Sequence, residues 1–325
     1  MKITDIKIDV IRREIPDTGL DPDLGRFAGT AEQGLLRIPT DEGIEGNCYI
    51  GAFRGGGHSH FGPILDVLEP ELPIYKILGT QRYHTEVYGT YPPRHESPEG
   101  YVEEAREMVA RGFRAYKIHP GMLSTPDVIR MVTMVREAVG PAVRLMLDPN
   151  CGYGYRKALD IGRALDPKGF HWFEDPVPHY DLDAIKSLSE RLDVPLCMSD
   201  QNPNQFFNAA NMVRNQSTRL VRGTAQKLGI TVLKKLCSLA EGFGMNCEIG
   251  TAANSLLNAA NLHVIFSVAN CDYFEYWMPQ AAHQFGLVDD IHLNEKGSID
   301  APTRPGLGYE LDWDWLKSHT VDTVG

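Results

Sequence analysis

The chain has 325 residues, 42% hydrophobic and 23% charged, which suits a folded protein of two domains or one α/β barrel with an additional segment. Its net charge is −11 and it has no long run of Lys and Arg, so we expect no binding to nucleic acid. No stretch approaches the roughly 20 apolar residues that span a membrane, and the six scattered cysteines indicate reduced thiols in the cytoplasm.

The first fifty residues alternate apolar and polar positions, which is the pattern of strands in a small antiparallel sheet. KITDIKIDVI and GLLRIPT predict two strands, and DEGIEGNCYIG predicts a hairpin with glycine-containing turns. The segment from Gly55 to Leu72 is predicted to form mainly one helix. We therefore expect an α+β domain over residues 1–83, completed by residues 295–325.

From residue 84 to residue 294, short apolar strands alternate with amphipathic helices. The strands are predicted at EVYGTY, RAYKIHP, VRLMLDPN, FHWFEDP, PLCMSDQ, TRLVRGT, MNCEIGT and DYFEYWM. This alternation predicts a parallel sheet, because parallel strands need a crossover helix between them. Eight such strands predict a (β/α) barrel, and the sequence lacks the glycine-rich phosphate turn that would favour an open doubly wound sheet.

Three carboxylates stand at the ends of three consecutive predicted strands: Asp148, Glu174 and Asp200. The carboxyl ends of barrel strands meet at the active-site mouth, so we expect these side chains to converge. Clustered carboxylates repel one another unless a cation binds, and all-oxygen ligands favour Mg²⁺ first and Mn²⁺ second. The alternative is that each residue only caps the helix that follows it.

Lys117 and His119 lie two residues apart at the end of the preceding strand, so their side chains share one face. A lysine inside a barrel is costly unless it is paired or functional. A nearby cation and partial desolvation predict a lowered pKa for Lys117, which makes Lys117 or His119 a candidate base for a proton next to a carboxylate. For His119, a structural role as a buried donor to a backbone carbonyl is the alternative.

The motifs KIH, LDPN, FEDP and SDQ on four successive barrel strands resemble the enolase superfamily, in particular its mandelate racemase and muconate lactonizing enzyme group. The runs GITVLKKLCSLAEGFGMNCEIG, NAANLHV, YFEYWMP and PGLGYELDWDW look like the same group. The resemblance implies a TIM-like barrel of the enolase type with an N-terminal α+β capping domain. It also implies that Asp148, Glu174 and Asp200 hold Mg²⁺ and that Lys117 and His119 are the acid/base pair.

The same resemblance implies where the substrate binds. Asn150 stands beside the first metal ligand, and Glu275 on the eighth strand matches a position that contacts the substrate carboxylate. Residues 17–30, with Arg26 and Phe27, match the cap loop that closes over the substrate. Family members commonly assemble, so we also expect a homo-oligomer.

Two departures from the family pattern bear on function. Counting back from Leu228-Gly229, the sixth-strand acid/base position falls on Gly223, and the seventh-strand histidine position falls on Gly250. A second acid/base pair on the opposite face of the substrate is therefore not expected, which argues against two-base racemisation. The cap is also shorter than in the family, since Leu72-Pro73 joins segments that several helices usually separate.

These features predict a Mg²⁺-dependent lyase that dehydrates an acid sugar or a related hydroxy-carboxylate. Lys117 and His119 would divide the base and acid roles on one face, giving syn elimination through an enediolate to a 2-keto-3-deoxy acid. A sugar-lactone cycloisomerase that uses the same single face is the enzymatic alternative. The alternative of a different class is a catalytically silent homologue that binds a metal and an acid.

Overall fold

A computed structural model describes residues 4, 7–15, 20–21, 25–26, 29–50, 72–202, 204–251 and 255–324. Residues 51–71, which carry most of the predicted first helix and adjoin the predicted deletion in the cap, lie outside the described residues, as does Phe27. Arg26 is described in its backbone alone, so the expected roles of Arg26 and Phe27 stay predictions.

The N-terminal segment forms antiparallel strands, as its alternating pattern predicts. The strands are β1 (Lys7–Ile15), β2 (Leu20–Asp21), β3 (Gly25–Arg26), β4 (Gly29–Pro39) and β5 (Glu45–Ile50). β4 pairs with β1 and with β5, and β2 pairs with β3. The predicted hairpin joins β4 to β5 through a turn in which the Thr40 N–H donates to the Ile44 carbonyl over 2.9 Å.

A parallel barrel follows the short helix α1 (Ile74–Leu78). Its strands are β6 (His84–Thr90), β7 (Ala115–Ile118), β8 (Arg144–Leu147), β9 (Trp172–Glu174), β10 (Leu196–Met198), β11 (Leu220–Gly223), β12 (Asn246–Ile249) and β13 (Tyr273–Trp277). They run in sequence order from β6 to β12, and β13 pairs with β6 on the other side. β12 and β13 lie next to each other, so the barrel nearly closes and the predicted fold class is confirmed.

Helices connect the strands and cover the outside of the barrel. They are α2 (Pro98–Ala110), α3 (Thr125–Val139), α4 (Tyr155–Leu165), α5 (Leu182–Ser189), α6 (Gln205–Arg214), α7 (Ala225–Gly242) and α8 (Ser255–Phe266). In α3 the buried residues Val128, Met131, Val132 and Val135 recur at helical spacing, and the Ser124 hydroxyl accepts from the Asp127 N–H at its start. No helix in the described ranges has the length and apolar character required to cross a bilayer.

The C-terminal residues return to the N-terminal sheet. After β14 (Ile299–Asp300), which pairs with β6, come α9 (Trp313–His319) and β15 (Thr320–Val324), which pairs with the free edge of β1. Apolar side chains of this sheet, of α8 and of the C-terminal segment pack together; they include Ile11, Leu35, Leu256, Leu257, Phe285 and Leu316. A second small core fills the inside of the barrel: Tyr88, Ala115, Met146, Trp172, Cys197 and Leu220.

Candidate active site

The small core inside the barrel, called the barrel floor below, shows which residues of each strand point inward at the mouth. Side chains two residues apart on a strand share a face, so the residue two positions beyond each floor residue also points inward, nearer the carboxyl end. Ala115, Met146, Trp172 and Leu220 are followed in this way by Lys117, Asp148, Glu174 and Arg222, and Tyr273, which packs against the same core, is followed by Glu275. All five of these charged side chains are buried. A charged layer therefore sits on an apolar floor.

Lys117 is the centre of this layer. Its Nζ lies 3.0 Å from Asp148 Oδ2, 3.1 Å from Glu174 Oε1 and 2.6 Å from Glu275 Oε1, and its side chain is 2% exposed. Burial disfavours the ammonium, but the surrounding carboxylates outweigh burial and raise the pKa of Lys117 well above its ordinary value. The sequence predicted a lowered pKa beside a bound cation; in the present arrangement the carboxylate contacts hold Lys117 as a cation.

His119 lies beside Lys117 and shares one of its partners. Its Nε2 is 3.1 Å from Asp148 Oδ2, and its Nδ1 is 2.8 Å from the Tyr91 carbonyl oxygen. Lys117 and His119 together hold the pKa of Asp148 below its ordinary range, although burial acts in the opposite direction. The ring thus makes the backbone-carbonyl contact of the structural alternative and also reaches a carboxylate of the charged layer.

Arg222, on β11, is the residue of this site that the sequence analysis missed. Its Nη2 donates to Glu275 Oε2 over 2.9 Å, its Nη1 donates to the Tyr88 hydroxyl over 3.0 Å, and its Nε lies 3.0 Å from Glu174 Oε1. These carboxylates raise the pKa of Arg222 further despite its burial. The layer thus contains a second permanent cation opposite His119 and Asp148.

Gly223 and Gly250, the positions that the family resemblance gives to a second acid/base pair, have different surroundings. A Cβ at Gly223 would lie 2.7 Å from Leu236 and 2.8 Å from Leu233, so this position faces helix α7 and not the site. Assigning the sixth-strand acid/base position to Gly223 was therefore wrong, because strand alternation gives the inward position to Arg222. Gly250 does face the site, since a Cβ there would lie 2.7 Å from Arg222 Nη2.

Asp200 is held at the rim by its neighbours. Asp175 accepts hydrogen bonds from the N–H groups of Ser199 and Gln201, on either side of Asp200, over 2.9 and 3.1 Å. Ser199 has a φ of 94°, so the backbone leaves the strand direction immediately before Asp200. The Asp200 side chain is 19% exposed, and its Oδ1 lies 3.9 Å from Arg222 Nε.

Two residues assigned to substrate binding also lie in this region. The Asn150 N–H donates to Asp148 Oδ1 over 2.8 Å, and the Asn150 side-chain oxygen accepts from Gln201 Nε2 over 3.3 Å. Glu275 bridges the two cations, and Lys117 and Arg222 lower its pKa to about 2 against the effect of burial. These contacts bring both residues to the mouth and leave their contact with substrate a prediction.

The donor set suits a hard divalent cation in kind, because Asp148, Glu174 and Asp200 supply only carboxylate oxygens. The arrangement of the described side chains is different from that of a loaded site. No three His, Cys, Asp or Glu side chains within the described ranges are grouped to hold an ion together. Lys117 and Arg222 contact the oxygens that a cation would use, so binding requires these contacts to change.

A family model described as "Enolase C-terminal domain-like" matches residues 100–315, well over half of the chain. The chain belongs to the enolase superfamily. Its relatives and its fold place it in the mandelate racemase and muconate lactonizing enzyme group, as the strand-end motifs predicted.

Relatives in this superfamily differ in the reaction that they catalyse. N-succinyl-L-Arg/Lys racemase of Bacillus cereus is 30% identical over 257 residues, which are 77% of this chain and 67% of the racemase. Arabinonate dehydratase of Saccharolobus solfataricus is 27% identical over 246 residues, and the match spans 74% of this chain and 64% of the dehydratase, less than two thirds of its length. Epimerases, a D-xylonate dehydratase and a cycloisomerase also match.

A solved structure shows the same architecture with a metal ion. D-glucarate dehydratase from Agrobacterium tumefaciens, complexed with magnesium, superposes with a TM-score of 0.84 at 25% identity, covering 99% of this chain and 100% of that chain. Superfamily members of this fold therefore include magnesium-bound enzymes.

Proposed function

We propose that this protein is a Mg²⁺-dependent dehydratase of an acid sugar or a related small hydroxy-carboxylate. The observation that carries the proposal is the one-sided placement of groups that can exchange protons. Lys117 and His119 stand on one side of the charged layer, whereas the inward positions of β11 and of the end of β12 hold Arg222 and Gly250. A guanidinium does not give up its proton in proteins and glycine has no side chain, so these two described positions supply no second base.

One-sided chemistry fits syn elimination better than racemisation. Racemisation with two bases needs a proton acceptor on one face of the substrate and a donor on the other. In syn elimination one face serves both steps, because the α-proton and the β-hydroxyl leave from the same side. The presence of arabinonate and D-xylonate dehydratases among the relatives supports this choice, and the racemases among them are the reason to test it.

His119 is the proposed base. Imidazole is the side chain that ordinarily exchanges protons near neutral pH, whereas Lys117 is paired with Glu275, a carboxylate outside the proposed metal ligands. The ring takes the α-proton as the C–H bond breaks and returns it to the hydroxyl group as the C–O bond breaks, releasing water and an enol that tautomerises to the 2-keto acid. Lys117 stays an ammonium and offsets the charge of the enediolate.

Asp148, Glu174 and Asp200 would hold the Mg²⁺ ion. When bound, the ion supplies Lewis-acid stabilisation of the carboxylate and of the enediolate. Asn150 keeps Asp148 oriented through the hydrogen bond to Oδ1, and Asp175 keeps Asp200 at the rim through the flanking N–H groups. We further propose that the protein acts in the cytoplasm as a homo-oligomer, with its six cysteines as free thiols.

The test is an assay of the purified protein with Mg²⁺ against a library of mono- and diacid sugars, with 2-keto acid formation as the readout. We expect turnover of at least one substrate and a loss of at least about 10³-fold in kcat for His119→Ala. Lys117→Met should lose a similar factor, because it removes the ammonium that offsets the charge of the enediolate. His84→Ala, an exposed histidine at the start of β6, is the control and should keep full activity.

The outcomes separate the alternatives. Turnover that His119→Ala leaves unchanged would refute the proposed base. Isomerisation of a sugar lactone without 2-keto acid formation would favour the cycloisomerase, and the matching 3,6-anhydro-alpha-L-galactonate cycloisomerase justifies including lactones in the library. Absence of any turnover across the library, with Mg²⁺ binding retained, would favour a silent homologue.

A further inference from the structure

The charged layer contains two permanent cations beside the three proposed metal ligands. Four carboxylates, Asp148, Glu174, Asp200 and Glu275, face two cations, Lys117 and Arg222. With all groups ionised the layer keeps a net negative charge, so it still attracts a divalent cation. Arg222 nevertheless occupies one side of the region in which that cation would lie.

Arg222 and a divalent ion need the same oxygen of Glu174. Glu174 Oε2 accepts a hydrogen bond from Trp172 Nε1 over 2.9 Å, which directs that oxygen to the barrel floor. Glu174 Oε1 is the oxygen that faces the cations, and Arg222 Nε lies 3.0 Å from it. Asp200 Oδ1 is 3.9 Å from the same nitrogen. An ion bound to Glu174 and Asp200 would therefore stand next to the guanidinium.

The guanidinium is held in place on its far side as well. Its Nη1 and Nη2 donate to the Tyr88 hydroxyl and to Glu275, and the residue is 1% exposed. Gly250 leaves the space that Nη2 occupies, since a Cβ there would be 2.7 Å away. Moving Arg222 to admit an ion therefore breaks formed hydrogen bonds, and leaving it in place sets like charges against each other.

We propose that Arg222 competes with the divalent cation for Glu174 and Asp200 and thereby sets a low affinity of this site for Mg²⁺. The proposal rests on the proposed metal site and adds a determinant of its affinity. The site would load at high Mg²⁺ concentration and empty as the concentration falls, whereas a site without the arginine would stay loaded.

The test is calorimetric titration of the purified full chain with MgCl₂ at constant ionic strength. Arg222→Gln, which removes the charge and keeps a polar side chain, should tighten Mg²⁺ binding by about tenfold or more. Arg219→Gln is the matched control, because Arg219 is exposed and stands just before the same strand. It should leave the affinity unchanged. A gain of affinity is diagnostic, since structural damage would weaken binding.

A second variant covers the case in which Arg222→Gln leaves Glu275 with Lys117 as its one cation and the protein does not fold. In Arg222→Gln/Glu275→Gln both charges of that pair are removed, and this variant should show a smaller gain in the same direction, because the layer also loses one negative charge. Unchanged or weaker binding in the folded variants, or no Mg²⁺ binding in any of them, would overturn the proposal. Formation of 2-keto acid by the wild type is measured in a separate assay. Failure of the Arg222 proposal can therefore be distinguished from failure of the proposed dehydratase function.

Discussion

The indole of Trp277 stacks on the imidazole of His119, with ring centroids 5.2 Å apart and 27° between the ring planes. The indole N–H in turn donates to the Thr251 carbonyl, which fixes the tryptophan at the end of β13. His119 is therefore held by a ring on its face and by hydrogen-bond partners at both nitrogens. Nε2 must leave Asp148 before it can take a substrate proton, and the stacked indole keeps the ring plane in place while that contact changes.

Replacing Trp277 by Leu should reduce turnover. The variant loses the stacking surface, so the imidazole samples other orientations, and we expect kcat for 2-keto acid formation to fall by about tenfold. Trp277→Phe keeps an aromatic face and should lose much less. Steady-state kinetics of the two variants on the same substrate provide the measurement, and equal kcat values for wild type and the Leu variant would show that the stacking has no catalytic role.

Adding a methyl group at Gly250 should destabilise the protein. The Cβ would stand 2.7 Å from Arg222 Nη2 and 3.1 Å from Asp200 Oδ1, so the guanidinium must shift and lose hydrogen bonds. We expect Gly250→Ala to lower the free energy of unfolding by about 1–3 kcal/mol, as measured by urea denaturation.

Gly242→Ala is the control for that experiment. Gly242 lies at the end of α7, and a Cβ there would meet nothing within 4 Å. Alanine favours a helix over glycine by up to about 1 kcal/mol, so this variant should be as stable as the wild type or slightly more stable. A Gly250→Ala protein with wild-type stability would mean that Arg222 moves at no cost.

The sequence was sufficient to predict the barrel and most of the charged layer. The end of a strand recurs once in each βα unit of the sequence, and a barrel brings these ends together at one mouth. Lys117, Asp148, Glu174 and Glu275 could therefore be predicted to meet. Helix α8 is buried on all sides and therefore shows no amphipathic period, so its own residues do not predict it in the way that those of α3 do.

Arg222 was missed for a different reason. Its assignment depends on which residues of β11 point inward, whereas the count from Leu228-Gly229 assumed the family spacing across the start of α7. Gly229 has a φ of 67° inside that helix, so the reference itself lies at a kink. Alternation from Leu220, an apolar residue of the barrel floor, would have identified Arg222. The expectation for the pKa of Lys117 considered a bound cation and burial and left out the direct contact with Glu275.

Mg²⁺ should raise the melting temperature of the wild type. Binding to the folded state alone adds about 2.7 kcal/mol of stability at a hundredfold excess over the dissociation constant. Asp148→Asn should abolish this gain, because it removes a proposed ligand. Glu248→Gln is the control, since Glu248 is also a buried barrel carboxylate but accepts from the Asp272 and Tyr273 N–H groups at the start of β13. Retention of the Mg²⁺ effect in Asp148→Asn would refute the ligand assignment.

The buried His263 should make stability depend on pH away from the site. Its Nδ1 accepts from the Tyr75 N–H over 3.0 Å, and burial lowers its pKa to about 4. Between pH 4 and 6.5 the unfolded chain therefore binds more protons at this residue than the folded chain, so stability is full above the unfolded pKa and falls as pH drops. The loss attributable to His263 from pH 7 to pH 4 should be roughly 3 kcal/mol.

His263→Gln keeps an acceptor and removes the titration, so urea denaturation should show a smaller loss than in the wild type or in His84→Gln, whose histidine is exposed. An equal loss in all three proteins would mean that His263 contributes nothing to the pH dependence.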